Sequence, residues 1–218
     1  MDSLTQAQPF RAPIVAIDRL RMQTDGQGIT TLVAFYGCPL RCQMCLNPFT
    51  YDPAVRRELM SARELYEQVK LDDLYFQATN GGVTFGGGEP LLYPQFLREF
   101  REICQDRWHL CVETSLAVPW EHVCAITDVI DVFYVDCKDP DPAIYKAYTG
   151  SDNQLMLDNL QRLLTAVGPD RILLRLPLIP GFNTTQHRCE SRAFFEAMGI
   201  TQIDEFTYIH RDTITGSK

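Results

Sequence analysis

The chain has 218 residues, 45% of them hydrophobic and 22% charged, with a formal net charge of −8. That length supports one domain with a sizeable core, and the acidic balance excludes a general nucleic-acid binder, which needs a basic face against phosphates. No apolar run approaches the ~18–20 residues that span a bilayer, and MDSLTQAQPFRAPIVAIDRL has neither the basic start nor the unbroken apolar stretch of a secretory signal, so a cytoplasmic protein is expected.

Residues 1–24 read as an N-terminal segment. ITTLVAFYG (29–37) is β-branched and apolar and predicts a strand, which runs into a loop over 36–48. SARELYEQVKLDDLYF (61–76) has helical periodicity behind Ser61, with Glu64 completing a capping box. GGVTFGG (81–87) predicts a short strand, PQFLREFREICQD (94–106) an amphipathic helix, HLCVETS (109–115) a strand and 119–126 a short helix. IDVFYVDCK (130–138) and RILLRLPLI (171–179) predict strands around a helix over 155–168 that stops at a glycine. A helix over 185–199 and a strand over 203–210 complete the pattern.

Strands that are near-continuously apolar and alternate with helices indicate an α/β fold built on a parallel sheet. Six such units are too few for a closed eight-fold barrel; an open doubly wound sheet and an incomplete barrel both fit. The unusual residues fall at the strand C-termini: the cysteine loop, GGGE, ETS, DCK, PGFN and His210. In parallel α/β folds the ligand site lies on that edge, so one shared site is expected.

The loop YGCPLRCQMCLNP carries Cys38, Cys42 and Cys45. In a reducing compartment, clustered cysteines are metal ligands or reactive thiols before they are disulfides. Structural zinc usually takes four protein ligands, and this loop offers three; an iron–sulfur cube on three cysteines leaves one iron open. Cys104, Cys111, Cys124, Cys137 and Cys189 are scattered among apolar neighbours and read as small buried hydrophobes. The glycine run lacks the lysine and spacing of a phosphate loop, and Glu113 reads as no more than a strand-end carboxylate.

C-x3-C-x2-C followed by GGE resembles the radical S-adenosylmethionine (SAM) superfamily. The segments TDGQGITTLVAFYGCPLRCQMCLNP, VTFGGGEPLL, HLCVETS, VDCKDPDPAIYKAYTG, LRLPLIPGFN and FTYIH resemble, in order, those of the glycyl-radical-enzyme activating enzymes. The resemblance implies a single radical SAM domain over 1–218, folded as a partial (β/α)6 barrel. It implies that Cys38, Cys42 and Cys45 ligate three irons of a [4Fe–4S] cluster and that SAM chelates the fourth. Gly87, Gly88 and Glu89 would meet the SAM amino group, Thr114 would lie near SAM, and Asp136 and Lys138 would bind its ribose and carboxylate. Arg175 and His210 match further cofactor-side positions.

The activity so implied is one-electron cleavage of SAM to a 5′-deoxyadenosyl radical, which takes hydrogen from a glycine of a partner glycyl radical enzyme. Flavodoxin or ferredoxin would be the reductant. The alternatives are a radical SAM enzyme acting on a small molecule or peptide, and a metal-binding interaction module without catalysis. The chain departs from the family pattern at Gln27 and Thr30, where DGPGxR is common, at Met44, where an aromatic often packs on adenine, and at Gly86, where Ser or Thr is frequent. No cysteine lies between Cys45 and Gly87, so no ferredoxin-like insert is implied, and the text ends soon after the sixth strand.

Overall fold

The structure is a computed structural model that describes residues 9–22 and 25–208. Its strands are β1 (Arg11–Met22), β2 (Ile29–Phe35), β3 (Glu58–Ser61), β4 (Gly82–Gly87), β5 (His109–Thr114), β6 (Val132–Asp136), β7 (Ile172–Leu178) and β8 (Ile203–Thr207). They form one sheet in the order β3-β1-β2-β4-β5-β6-β7-β8. The six strands expected from periodicity, β2 and β4 to β8, are all parallel neighbours. Valine, isoleucine, leucine and phenylalanine dominate them because helices cover the outer face.

Two strands were not expected. β1 pairs antiparallel with both β2 and β3, so part of the N-terminal segment is built into the sheet. Its pattern was hidden by Pro13, by four charged residues and by two register shifts against β2, at Ile14/Ala16 and Asp18/Arg21. Such bulges break the two-residue alternation that marks a strand.

The helices are α1 (Ala62–Val69), α2 (Asp73–Thr79), α3 (Pro94–Cys104), α4 (Trp120–Cys124), α5 (Pro142–Thr149), α6 (Gln154–Val167) and α7 (Thr185–Met198). The long helix expected over 61–76 divides at a 3-10 turn, Lys70–Asp72. α5 was not expected, although Asp141 caps the amides of Ala143 and Ile144 and Pro142 stands at its first position. The main core packs α3, α4 and α6 against β4 to β7, with Phe85, Phe100, Phe133 and Leu160 fully buried. Cys104, Cys111 and Cys137 are buried as expected, but Cys124 and Cys189 are exposed, on the outward sides of α4 and α7.

Residues of β1, β2 and β4 to β8 line one common cavity. A flat sheet cannot turn residues of its first and last strands onto one space, so the sheet curves into an open barrel. This is the partial barrel expected, with two antiparallel strands added at one edge. No described helix is long and apolar enough to cross a membrane.

Candidate functional site

All the site residues named from the sequence, His210 excepted, line this cavity of about 530 Å³. His210 lies outside the described residues.

The cysteine loop is held at both ends. Gly37, at φ +98°, donates its amide to the Thr50 carbonyl at 2.6 Å, and its carbonyl accepts the Glu89 amide at 2.7 Å. Further on, the Arg41 and Gln43 amides donate to the carbonyls of Thr149 and Tyr148 at 3.0 and 3.1 Å. The Gln43 side chain donates to the Ala147 carbonyl at 3.0 Å. Those carbonyls end α5, where a helix leaves acceptors without partners of its own. Loop and helix end therefore satisfy each other.

The glycines of the GGE turn are required by contact. A Cβ on Gly87, whose φ is +82°, would fall 2.5 Å from the Ala34 Cβ, and one on Gly88 would fall 2.2 Å from the Gly37 carbonyl oxygen. Close approach lets the Gly88 amide reach the Phe35 carbonyl at 3.0 Å, while Asn47 Nδ2 donates to the Gly87 carbonyl at 3.3 Å. Glu89 is buried at 1% exposure. Its carboxylate accepts from the Thr114 hydroxyl (2.7 Å), the Ser115 amide (2.9 Å) and hydroxyl (2.7 Å), and the Leu91 amide (3.2 Å). Burial pushes its pKa up, opposed by those hydrogen bonds. Glu89 thus ties β4 to the end of β5 while it faces the cavity.

Lys138 is buried, with its Nζ 3.4 Å from Asp136 and donating to the Tyr208 hydroxyl at 3.0 Å. Burial alone would lower its pKa, but Asp136 and Tyr208 outweigh it and hold the group well above the ordinary lysine value. Arg175 Nη1 donates to Glu113 at 2.7 Å, and its guanidinium lies 4.8 Å from the Tyr134 ring centroid. Glu113, read from sequence as a bland strand-end carboxylate, is thus a partner in the cavity wall. Cys38 is pushed up to about 12 by burial, with Glu89 adding to the effect, and burial raises Cys42 as well.

The model of the radical SAM superfamily matches residues 32–188, the stretch that supplies the cysteine loop and most of the cavity wall. The chain belongs to the radical SAM superfamily. It is 28% identical over 239 residues to the indoleacetate decarboxylase activating enzyme of Tractidigestivibacter scatoligenes, covering 79% of this chain and 75% of that one. Over 157 residues it is 34% identical to the pyruvate formate-lyase-activating enzyme of Clostridium pasteurianum, covering 72% of this chain and 64% of that protein. Its fold is similar to Streptococcus suis SuiB bound to S-adenosylmethionine, with TM-score 0.62 at 14% identity, over 86% of this chain and 44% of SuiB.

The cofactors of the radical SAM superfamily are a [4Fe–4S] cluster and SAM, and the residues present fit them. Three free thiols from one loop line the cavity. Among the described residues no three His, Cys, Asp or Glu side chains form a group that would hold a single metal ion. The cavity also offers a buried cation, Lys138, and carboxylates at Asp136 and Glu113 to a ligand that carries both charges.

Sequence reading missed Asn47, Tyr148 and Tyr208 in the cavity wall. Tyr148 and Tyr208, with Ile179, form a small apolar cluster against which Cys42, Met44, Phe182 and Phe206 pack. Their apolar neighbours in the sequence mark them as core residues, and no local signal distinguishes a core tyrosine from one at a cavity wall.

Proposed function

We propose that this chain is the activating enzyme of a glycyl radical enzyme, acting as one radical SAM unit over residues 1–218 in the cytoplasm. Cys38, Cys42 and Cys45 would hold three irons of the cluster, Gly87, Gly88 and Glu89 would border the SAM amino group with Thr114 nearby, and Asp136 and Lys138 would take its ribose and carboxylate. Arg175 and His210 are assigned to the cofactor side in the same reading. When bound, cluster and SAM together supply one-electron cleavage of the S–C5′ bond and hydrogen abstraction by the resulting carbon radical.

The observation that carries the reading is the joining of two motifs. The Glu89 amide on the Gly37 carbonyl and the Gly88 amide on the Phe35 carbonyl fix the GGE turn against the root of the cysteine loop. The chain's part is to place, orient and shelter: α5 holds the loop, Glu89 braces β4 on β5, and Lys138 sits charged and buried between Asp136 and the Tyr208 hydroxyl. Such work by the protein, with the difficult bond-breaking left to cofactors, is the general division of labour in cofactor enzymes. The activating-enzyme relatives point to a protein substrate, and flavodoxin or ferredoxin is the reductant proposed.

The test is anaerobic reconstitution with iron and sulfide, followed by SAM and dithionite. The expected products are 5′-deoxyadenosine and, with a glycyl radical enzyme added as substrate, an EPR doublet from its glycine. SAM cleavage without that doublet would favour a small-molecule or peptide substrate. An intact cluster without SAM cleavage would leave a binding module.

A further inference from the structure

Lys138 is a buried cation of the cavity wall, and a lysine does not hold its charge still unaided. Its stem is flexible and its ammonium carries three donors that turn freely. Here the ammonium is fixed from two strands. Asp136, at the end of β6, stands 3.4 Å from Nζ. The second group is the Tyr208 hydroxyl, which accepts from Nζ at 3.0 Å and lies 70 residues further along the chain.

Tyr208 follows β8, which is separated from β6 by β7. Its amide donates to the Leu178 carbonyl at 3.0 Å, at the end of β7. Its ring meets Phe206 edge-on at 5.4 Å and stacks with Tyr148 at 6.3 Å. Both Lys138 and Tyr208 line the cavity, and Cys42 packs against the group of side chains to which Tyr208 belongs. The tyrosine is therefore set by its own neighbours and presents an acceptor that carries no charge. A second carboxylate would cancel the lysine's charge; a phenol fixes the ammonium and leaves that charge to act on an anionic ligand. Asp136 and Tyr208 together occupy at most two of the three donors, and one remains for the ligand.

We propose that Tyr208 is a positioning residue for the cofactor: by holding Lys138 it aims the ammonium at the carboxylate of SAM. The inference rests on the assignment of Lys138 to that carboxylate under the proposed function. It adds a residue from another strand, and that residue sets the affinity of the cavity for the amino-acid end of SAM.

The experiment measures binding of SAM and of decarboxylated SAM, which lacks only the carboxylate, by equilibrium dialysis. The proteins are reconstituted wild type, Tyr208→Phe, Lys138→Met and the double variant, with iron content and circular dichroism recorded for each. Phenylalanine keeps the ring, so Tyr208→Phe should retain its iron and its fold. Its Kd for SAM should rise about tenfold, the order expected for a lost hydrogen bond to a charged group. Its Kd for decarboxylated SAM should stay that of wild type. In the Lys138→Met background the same change should add nothing, because the group it positions is gone. A merely structural tyrosine would weaken both ligands alike, with or without Lys138. Equal loss for the two ligands, an unchanged Kd for SAM, an undiminished effect in the Lys138→Met background, or loss of fold or iron in Tyr208→Phe overturns the inference. A Lys138→Met variant that binds SAM as tightly as wild type overturns the carboxylate assignment itself, and this inference with it.

Discussion

Arg175 and Glu113 meet at 2.7 Å across the barrel interior, from strands β7 and β5, which are separated by β6. The guanidinium passes over Tyr134 of β6, 4.8 Å from its ring centroid. Both side chains are more than four-fifths buried, so the pair is shielded from solvent screening. Burial raises the Glu113 pKa, opposed chiefly by Arg175, and for Arg175 burial is outweighed by Glu113 and Asp136.

Removing one partner of such a pair leaves the other charge poorly compensated. Glu113→Ala should destabilise the fold by about 3 kcal/mol, read as a lower urea midpoint at unchanged slope. An Arg175 that is held elsewhere and contributes nothing through Glu113 would leave the midpoint in place.

Gly86 depends on the same carboxylate. A Cβ there would lie 2.8 Å from Glu113 Oε2 and 3.3 Å from Leu32 Cδ1, so glycine leaves the room that this carboxylate occupies. Gly86→Ala should cost about 1–3 kcal/mol by overpacking, and much less in a Glu113→Ala background. Strict additivity of the two changes in a double-mutant cycle would reject the coupling.

Gly88→Ala meets backbone and cannot be relieved by a rotamer change, since the Gly37 carbonyl oxygen lies 2.2 Å from the added carbon. The expected outcome is displacement of the GGE turn from the cysteine loop, with reconstituted iron content falling severalfold and stability by about 3 kcal/mol. Full iron loading in this variant would show that the joint between the two motifs is dispensable.

Cys42→Ala should abolish the visible absorption of the reconstituted protein and any SAM cleavage, with the fold retained by circular dichroism. Cys124→Ala, at an exposed site on α4, should change neither. Iron content and turnover that survive Cys42→Ala would refute the ligand assignment.

Acid should weaken the β3–α1 corner through Glu64. Its carboxylate accepts from the Ser61 amide at 2.7 Å and from Arg11 at 2.7 Å, and with Ser61 first among the causes its pKa falls to about 2. A depressed folded value means the contribution is present above the unfolded pKa, about 4.3, and is lost as pH falls from there through 2. Stability measured across that window should fall less steeply in Glu64→Gln than in wild type; parallel curves would contradict the assignment.

What the sequence by itself determined is the chemistry at the strand ends. Three cysteines at close spacing, glycines before Glu89 and the Asp136–Lys138 pair are local patterns, and chain alternation is enough to place them on one edge of a parallel sheet. β1 was not legible because bulges break its period, and α5 because prolines and charges surround its capped start. What only the tertiary structure decided is how distant segments complete one another. Nothing in the text around Tyr148 says that its carbonyl will hold the Gln43 amide. Nothing near Gly86 says that Glu113 will occupy the space a side chain would need. Those relations follow from sheet order and helix docking, which bring together residues far apart in the chain, and local periodicity carries no record of them.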